Sequence, residues 1–251
     1  MKQGVLTLSG LSADLMRPQK CKRLIRASTC EPISSVWEGT DGELLEAMFG
    51  FYPSIDPEPI LDSTYNAGRF WRGSMRRVVS MDIEPRHKPM IVGDNRKMTG
   101  VPSAHFGTVV YDPPHVGPQG RDKSRKKFDV DFGATVDCGK EQNWNLSYLY
   151  PPFLQQAKRV LKPNGLLLAK ITDMVNNHRS KWAHCDFMRM AAETGFAVCD
   201  LIIKIRNGPM LSDKWKEAHH ARKRPTAFGL FAATVTAASA NSSLETSRPT
   251  G

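Results

Sequence analysis

The chain has 251 residues, of which 40% are hydrophobic, and this length suits one large α/β domain or two small ones. Its formal charge of +10 at pH 7 indicates a polyanionic partner, most simply nucleic acid, although a basic balance can also serve solubility alone. Five scattered cysteines without a Cys-x-x-Cys pair argue against a disulfide framework, and no apolar stretch or signal-peptide core is present, so we expect a soluble cytoplasmic protein without membrane contact.

The sequence predicts three regions along the chain. Residues 1–30 are expected to form a loosely ordered basic extension, residues 31–235 the folded domain, and residues 236–251 a disordered polar tail. The first helix signal is Thr40-Asp41-Gly42-Glu43, which has capping-box spacing before the apolar run Leu44–Phe49, with Gly50 as the stop. Four strand candidates follow: Ile60–Asp62, Arg77–Ile83, Met90–Asp94 and Phe106–Asp112.

The same alternation continues in the second half. Pro151-Pro152 opens a helix with apolar residues on one face, and Lys162–Gly165 reads as a turn before the buried strand Leu166–Thr172. A helix over Lys181–Glu193 ends at Gly195, and strands are expected over Phe196–Ile205 and Ala227–Val235. This alternation predicts a mostly parallel sheet with helices on both faces.

An aspartate lies at the end of each of the four strand candidates of the first half, as the last residue or the one before it: Asp62, Asp82, Asp94 and Asp112. Because the carboxyl ends of parallel strands meet at one edge of a sheet, these carboxylates should line one crevice. Any single one is explained by the preference of aspartate for turns. Four in order repel one another, which favours ligand binding over stability as their role.

The loop after the first of these strands is Asp62-Ser63-Thr64-Tyr65-Asn66-Ala67-Gly68. Asn66 and Gly68 tolerate the left-handed backbone region that a tight turn between strand and helix needs. The loop lacks a Gly-Lys-Ser/Thr phosphate cradle and has one glycine where a dinucleotide fingerprint has three. A nucleoside ligand without a pyrophosphate, such as S-adenosylmethionine, therefore suits it better. Asp82 lies where Rossmann-like sheets bind ribose hydroxyls, and Asp94 is placed to accept a hydrogen bond from an adenine amino group.

The fourth strand runs into Asp112-Pro113-Pro114-His115. The two prolines fix their own φ and hold the preceding residue extended, so the turn is rigid. A carboxylate, a proline carbonyl and a flat ring held in this way can bind a planar exocyclic amine. An ordinary strand-to-turn exit is the alternative for the tetrapeptide alone.

Together these residues resemble the class I S-adenosylmethionine-dependent amino-methyltransferases, in particular the DNA adenine-N6 and cytosine-N4 enzymes. The resemblance covers about residues 33–235 and implies a Rossmann-like, mostly parallel seven-stranded sheet. It implies catalytic roles for Asp112, Pro113, Pro114 and His115, with His115 standing where Tyr, Phe or Trp is usual. The implied cofactor-binding residues are Asp62, Thr64, Tyr65, Asn66, Gly68, Asp82 and Asp94, with Asn66 in place of the usual first glycine.

The resemblance also implies a reaction and a partner. Asp112 and the Pro113 carbonyl would accept the two hydrogens of an exocyclic amine, and His115 would stack on a base flipped out of duplex DNA. A basic loop directly after the motif carries the predicted nucleic-acid-binding residues Arg121, Lys123, Arg125, Lys126 and Lys127. A second basic stretch covers residues 204–225. Neither is long enough to be a separate recognition domain, so a partner subunit is one source of sequence specificity.

Other functions remain open at this point. RNA guanine-N2 and protein glutamine methyltransferases use closely related motifs. A methyltransferase-like nucleic-acid-binding subunit without activity is a third alternative, which Asn66 and His115 favour and the four retained aspartates oppose. The histidines and cysteines lack metal-ligand spacing, so no metal is expected.

Overall fold

In the computed structural model, the described residues (32–52, 56–114, 149–176, 179–205 and 227–235) contain ten strands and three α-helices. The predicted extension over 1–30 and the predicted tail over 236–251 lie outside these ranges. The helices are α1 (Asp41–Phe51), α2 (Tyr150–Val160) and α3 (Ala183–Thr194). The strands are β1 (Val36–Trp37), β2 (Ile60–Asp62), β3 (Val78–Asp82), β4 (Ile91–Val92), β5 (Phe106–Tyr111), β6 (Leu161–Thr172), β7 (Met174–Asn176), β8 (Arg179–Lys181), β9 (Phe196–Ile205) and β10 (Ala227–Val235).

Eight strands form one mixed sheet in the order β1-β9-β10-β6-β5-β2-β3-β4, and β7 and β8 form a separate antiparallel pair. Within the large sheet, β10 runs antiparallel to both of its neighbours, and every other pairing is parallel. The predicted Rossmann-like fold with a mostly parallel sheet is therefore confirmed. The predicted count of seven strands is wrong, because the two residues of β1 add an eighth strand by pairing with β9.

The helix boundaries follow from local chemistry. The capping box predicted for α1 is present, since the Thr40 hydroxyl accepts from the Glu43 amide and the Glu43 carboxylate accepts from the Thr40 amide. Gly50 lies inside α1 and does not stop it; the helix ends at Phe51. Gly195 takes φ +95° after α3, the left-handed conformation with which helices commonly end.

Helices cover both faces of the sheet, and the alternation of side chains along each strand decides which face each residue meets. Leu61, Val109 and Tyr111 pack in the cluster that includes residues of α2 and α3. Ile60 and Val110 pack instead in the cluster that includes the buried side of α1. Asp62 and Asp112 each lie two residues beyond one of this second pair, so both belong to the α1 face of the sheet.

One predicted turn lies within a strand. Lys162–Gly165 falls inside β6, where the pairing with β5 shifts between Phe106↔Leu161 and Thr108↔Leu166. Asn164 has φ +62° at this irregularity, so the turn signal marks a bulge rather than the start of the strand.

Among the described helices, none is both long enough and apolar enough to cross a membrane.

Candidate active site

The site lies at the carboxyl ends of β2 and β5, which are neighbours in the sheet. From β2 the chain continues to β3, which pairs with β2 on the side away from β5. From β5 the sheet continues to β6, which pairs with β5 on the side away from β2. This reversal is a topological switch point, where open α/β sheets form a ligand crevice. Asp62 ends β2, and Asp112 follows β5 directly.

Hydrogen bonds join the loops that leave these two strands. The Ser63 amide and hydroxyl both donate to the Val110 carbonyl oxygen, at 3.0 and 2.7 Å. The Asp112 amide donates to the Thr64 hydroxyl at 2.7 Å. The first residue of the Asp-Pro-Pro turn is thus fixed to the loop after β2.

Asp62 organises this loop from inside. Its side chain is buried, and its two carboxylate oxygens accept from the Trp71 indole N–H at 2.7 Å and from the Thr64 amide at 3.1 Å. The pKa of Asp62 is raised to about 7, chiefly by burial; the hydrogen bonds from Trp71 and Thr64 oppose the rise, and the charges of Asp112 and Asp82 add to it. Both oxygens already hold protein donors, so Asp62 positions the loop that the cofactor is predicted to meet.

The turn itself passes through three consecutive left-handed residues: Asn66 (φ +38°), Ala67 (φ +60°) and Gly68 (φ +66°). The prediction of positive φ at Asn66 and Gly68 is confirmed, and Ala67 is an addition that no sequence signal marks. A Cβ on Gly68 would lie 2.5 Å from the Tyr65 hydroxyl oxygen, so only glycine fits there without movement of the ring. The Tyr65 amide donates to the Met81 carbonyl oxygen at 3.0 Å, which holds the turn against β3.

Asp82 stands at the end of β3 beside this turn. One of its carboxylate oxygens accepts from the Asn66 amide at 2.8 Å and the other from the Glu84 amide at 2.8 Å. Its side chain is half-buried. The charge of Asp82 raises the pKa of Asp62, as expected for carboxylates on one edge of the sheet.

Asp94 follows the short strand β4 and faces a cation of its own loop. Arg96 forms a two-pronged ion pair with its carboxylate, with the closest nitrogen–oxygen distance 2.6 Å. Burial raises the pKa of Asp94, but the hydrogen bonds from Arg96 outweigh it and leave the pKa below its usual range. Asn95 donates to the Ser63 carbonyl oxygen at 3.0 Å, which ties this loop to the first one. The predicted contact of Asp94 with an adenine ring stays a prediction.

A lysine that the sequence did not predict as a site residue lies beside Asp112 of the Asp-Pro-Pro-His motif. The Lys170 ammonium, on β6, lies 3.5 Å from a carboxylate oxygen of Asp112 and 3.1 Å from one of Asp41. The other Asp41 oxygen lies 3.0 Å from the Lys204 ammonium. No motif marks Lys170, and the signal that could have found it is its register: Tyr111 is opposite Ala169, so Asp112 comes beside Lys170.

The remaining predicted site residues lie outside the described ranges. These are His115 and the basic residues Arg121, Lys123, Arg125, Lys126 and Lys127. The second basic stretch is described only at its first two residues, Lys204 and Ile205. Within the described residues, no group of three or more His, Cys, Asp or Glu side chains is arranged to hold a metal ion.

No protein-family model matches the sequence, and no curated protein matches it. Among solved structures, the chain is similar to the 1,6-didemethyltoxoflavin-N1-methyltransferase of Burkholderia thailandensis (12% identity, 78% of this chain and 77% of that chain, TM-score 0.45). It is similar to a candidate methyltransferase of Bacillus halodurans (15% identity, 79% of this chain and 100% of that chain, TM-score 0.49). It is also similar to a candidate DNA modification methylase of Thermus thermophilus complexed with S-adenosyl-L-methionine (16% identity, TM-score 0.36).

The last of these similarities covers 58% of this chain and 52% of that chain, so the chain spans about half the length of the Thermus thermophilus protein. At these identities and TM-scores the similarities assign neither a family nor a substrate. The Rossmann-like fold is inferred from the strand order of this chain, and the candidate site from the contacts among its own side chains.

Proposed function

We propose that this protein is an S-adenosylmethionine-dependent methyltransferase that acts on an exocyclic amino nitrogen of a DNA base, with adenine N6 the preferred target. The observation that carries the proposal is the placement of the Asp112 carboxylate. Asp112 follows β5 at the switch point and precedes Pro113 and Pro114. Its backbone amide donates to the hydroxyl of Thr64, in the loop after β2. A rigid carboxylate beside a nucleoside site is what transfer to an amine requires.

The chemistry of the loop after β2 fits S-adenosylmethionine. A single glycine and a left-handed turn leave no cradle of successive amides for a pyrophosphate. Asp82 is half-buried at the strand end next to the turn, the position at which Rossmann-like sheets bind the two hydroxyls of a ribose. Thr64, Tyr65, Asn66 and Gly68 would line the cofactor and Asp62 would hold their loop in place. When bound, S-adenosylmethionine supplies an electrophilic methyl group.

The residues of the motif would then prepare the amine. The nitrogen lone pair of adenine or cytosine is delocalised into the ring, which makes it a poor nucleophile. The Asp112 carboxylate and the Pro113 carbonyl would accept its two hydrogens and so localise the lone pair on nitrogen. The same carboxylate can take the proton that the amine must lose. Holding the partners in line in this way contributes several kcal/mol to a lower barrier.

The net charge of +10 supports nucleic acid as the substrate. The basic loop from Arg121 to Lys127 follows the motif in the sequence and would contact the phosphates, while His115 would stack on the flipped base. Cytosine N4 is the second target in this proposal. Neither basic stretch accounts for a target sequence, which is the reason to include a partner subunit.

The proposal is tested by incubating the purified protein with radiolabelled S-adenosylmethionine and, in parallel, duplex DNA, tRNA, rRNA or protein. We expect label in DNA, and we expect Asp112→Ala to abolish it. Asp56→Ala is the matched control, because Asp56 is exposed and precedes β2 at the opposite edge of the sheet. Label confined to RNA or protein would refute the DNA substrate. Cofactor binding without transfer to any substrate would favour a binding subunit.

A further inference from the structure

We propose that Lys170 is a positioning residue for Asp112, and that Asp41 competes with Asp112 for the charge of Lys170. This inference rests on the proposed function, in which an ionised Asp112 carboxylate in a fixed orientation accepts the hydrogens of the amine better than a neutral side chain does. Lys170 and Asp41 themselves belong neither to the Asp-Pro-Pro-His motif nor to the loop after β2.

The geometry around Lys170 is that of one cation shared by two anions. Its ammonium lies 3.1 Å from Asp41 and 3.5 Å from Asp112, and the side chain is only 13% exposed. It also lies 5.3 Å from the centre of the Phe70 ring, which gives it an aromatic face as a further contact. Because little of this side chain is exposed, water screens its charge weakly, and the two carboxylates are among the groups on which the charge acts.

The position of Asp41 is equally defined. It is the first residue of α1, and a Cβ on the next residue, Gly42, would lie 2.7 Å from the Phe70 carbonyl oxygen. The absence of a side chain at Gly42 therefore lets the first turn of α1 approach the loop after β2. This approach brings Asp41 to Lys170 and leaves its second oxygen to Lys204.

The charges facing Asp112 come from several elements. Among the described residues, Lys170 on β6 is a cation in contact with it, and the charge of Asp112 contributes to the raised pKa of Asp62 on β2. Asp82 on β3 is a second acid whose charge reaches Asp62. Asp41 on α1 and Lys204 on β9 act on Asp112 through Lys170. Without Lys170, Asp112 would be one of several carboxylates at this edge and would hold its proton to higher pH.

Sharing of the cation gives two variants opposite effects. Lys170→Met removes the positive charge that lies 3.5 Å from the Asp112 carboxylate, so the pKa of Asp112 should rise. Asp41→Asn removes the competing anion, so Lys170 should serve Asp112 more fully and the pKa of Asp112 should fall. A merely structural role for Lys170 would predict no such opposition.

The direct measurement is the pH titration of the aspartate side-chain carboxyl carbons by NMR, with the Asp112 resonance assigned by its loss in Asp112→Asn. It needs no methyl transfer, so its outcome is separate from that of the proposed function. We expect the Asp112 midpoint to move up in Lys170→Met, to move down in Asp41→Asn and to return in Lys170→Arg. Lys162→Met is the matched control, because Lys162 lies on the same strand and pairs with Asp56 away from the site.

The pH profile of kcat gives the functional readout. On the acid limb, Lys170→Met should lower kcat about tenfold for each pH unit by which the Asp112 midpoint rises, and the variants should converge at alkaline pH. The KM for S-adenosylmethionine should not change. Midpoints that shift in the same direction in both variants, or not at all, would overturn the inference. Absence of methyl transfer in the unaltered protein would instead refute the proposed function and leave the titration to decide the role of Lys170.

Discussion

Asp62→Asn tests the electrostatics of the site through the stability of the fold. The Asp62 side chain is 1% exposed, and its pKa in the folded protein is about 7 against 3.8 for an ordinary aspartate. The folded state therefore holds a proton on Asp62 over a pH range in which the unfolded chain has released it. Stability linked to this group is complete below pH 3.8 and is lost as the pH rises toward 7.

The size of the effect follows from the two pKa values. Each pH unit between them corresponds to 1.36 kcal/mol, so the ionised carboxylate costs the fold about 4 kcal/mol above pH 7. Between pH 5 and pH 7.5 this difference amounts to about 3 kcal/mol. Asparagine cannot ionise and escapes the cost. It gives up one hydrogen bond, because its NH₂ faces a donor at Trp71 or Thr64, and this loss is about 1 kcal/mol at every pH.

Urea unfolding of both proteins at pH 5 and pH 7.5 measures this difference. We expect the free energy of unfolding of Asp62→Asn, relative to the unaltered protein, to improve by about 3 kcal/mol from the lower to the higher pH. Asp56→Asn is the control, because the Asp56 side chain is 75% exposed and should show no such trend. A difference for Asp62→Asn that is the same at both pH values would refute a buried carboxyl with a raised pKa.

Two further predictions concern the backbone and the core. Gly68→Ala should lower the free energy of unfolding by about 1–3 kcal/mol, since its φ is +66° and its Cβ would meet Tyr65, whereas Gly50→Ala inside α1 meets nothing within 4 Å and should raise it by about 0.5–1 kcal/mol. Equal effects of these two glycine variants in urea unfolding would contradict the strained turn. Thr108→Val should raise the free energy of unfolding by about 1 kcal/mol, because the fully buried Thr108 hydroxyl has no hydrogen-bond partner within the described residues. A lower thermal midpoint in that variant would show that the hydroxyl is satisfied.

The sequence was most informative where local rules act alone. Ile60–Asp62, Phe196–Ile205 and Ala227–Val235 match the observed strands, because each is an apolar run whose ends are marked by a turn or a change of composition. The capping box at Thr40 needs only four residues and is present as predicted. The left-handed turn after Asp62 was also predictable, since Asn and Gly are the residues that tolerate it.

Features that depend on pairing between distant residues were not predictable in this way. β1 forms only because Val36 and Trp37 reach β9, and two residues carry no periodicity of their own. β4 spans Ile91–Val92 rather than Met90–Asp94, because its pairing with β3 ends at Asp82↔Val92 and the chain turns at Asp94, whose carbonyl oxygen accepts from the Lys97 amide. Strand length at a sheet edge is thus decided by the neighbour.

The same reason explains what the sequence reading missed at the site. The contact of Lys170 with Asp112 joins residues 58 positions apart, and its contact with Asp41 joins residues 129 apart. Asp62 was predicted as a ligand-facing carboxylate, but the Trp71 indole that occupies it is unmarked by any motif. The spacing of the aspartates along the sequence was enough to predict that they lie at one edge of the sheet. Their partners, such as Lys170, could be identified only from the register between paired strands.

The most direct test of the central claim is nucleoside analysis of DNA incubated with the protein and S-adenosylmethionine. We predict N6-methyladenine in digests from the unaltered protein, and a yield at least about a hundredfold lower from Asp112→Ala, which cannot hold or polarise the amine. Asp112→Asn should retain part of the activity, because its amide oxygen still accepts one hydrogen. An undiminished yield of N6-methyladenine from Asp112→Ala would contradict the account.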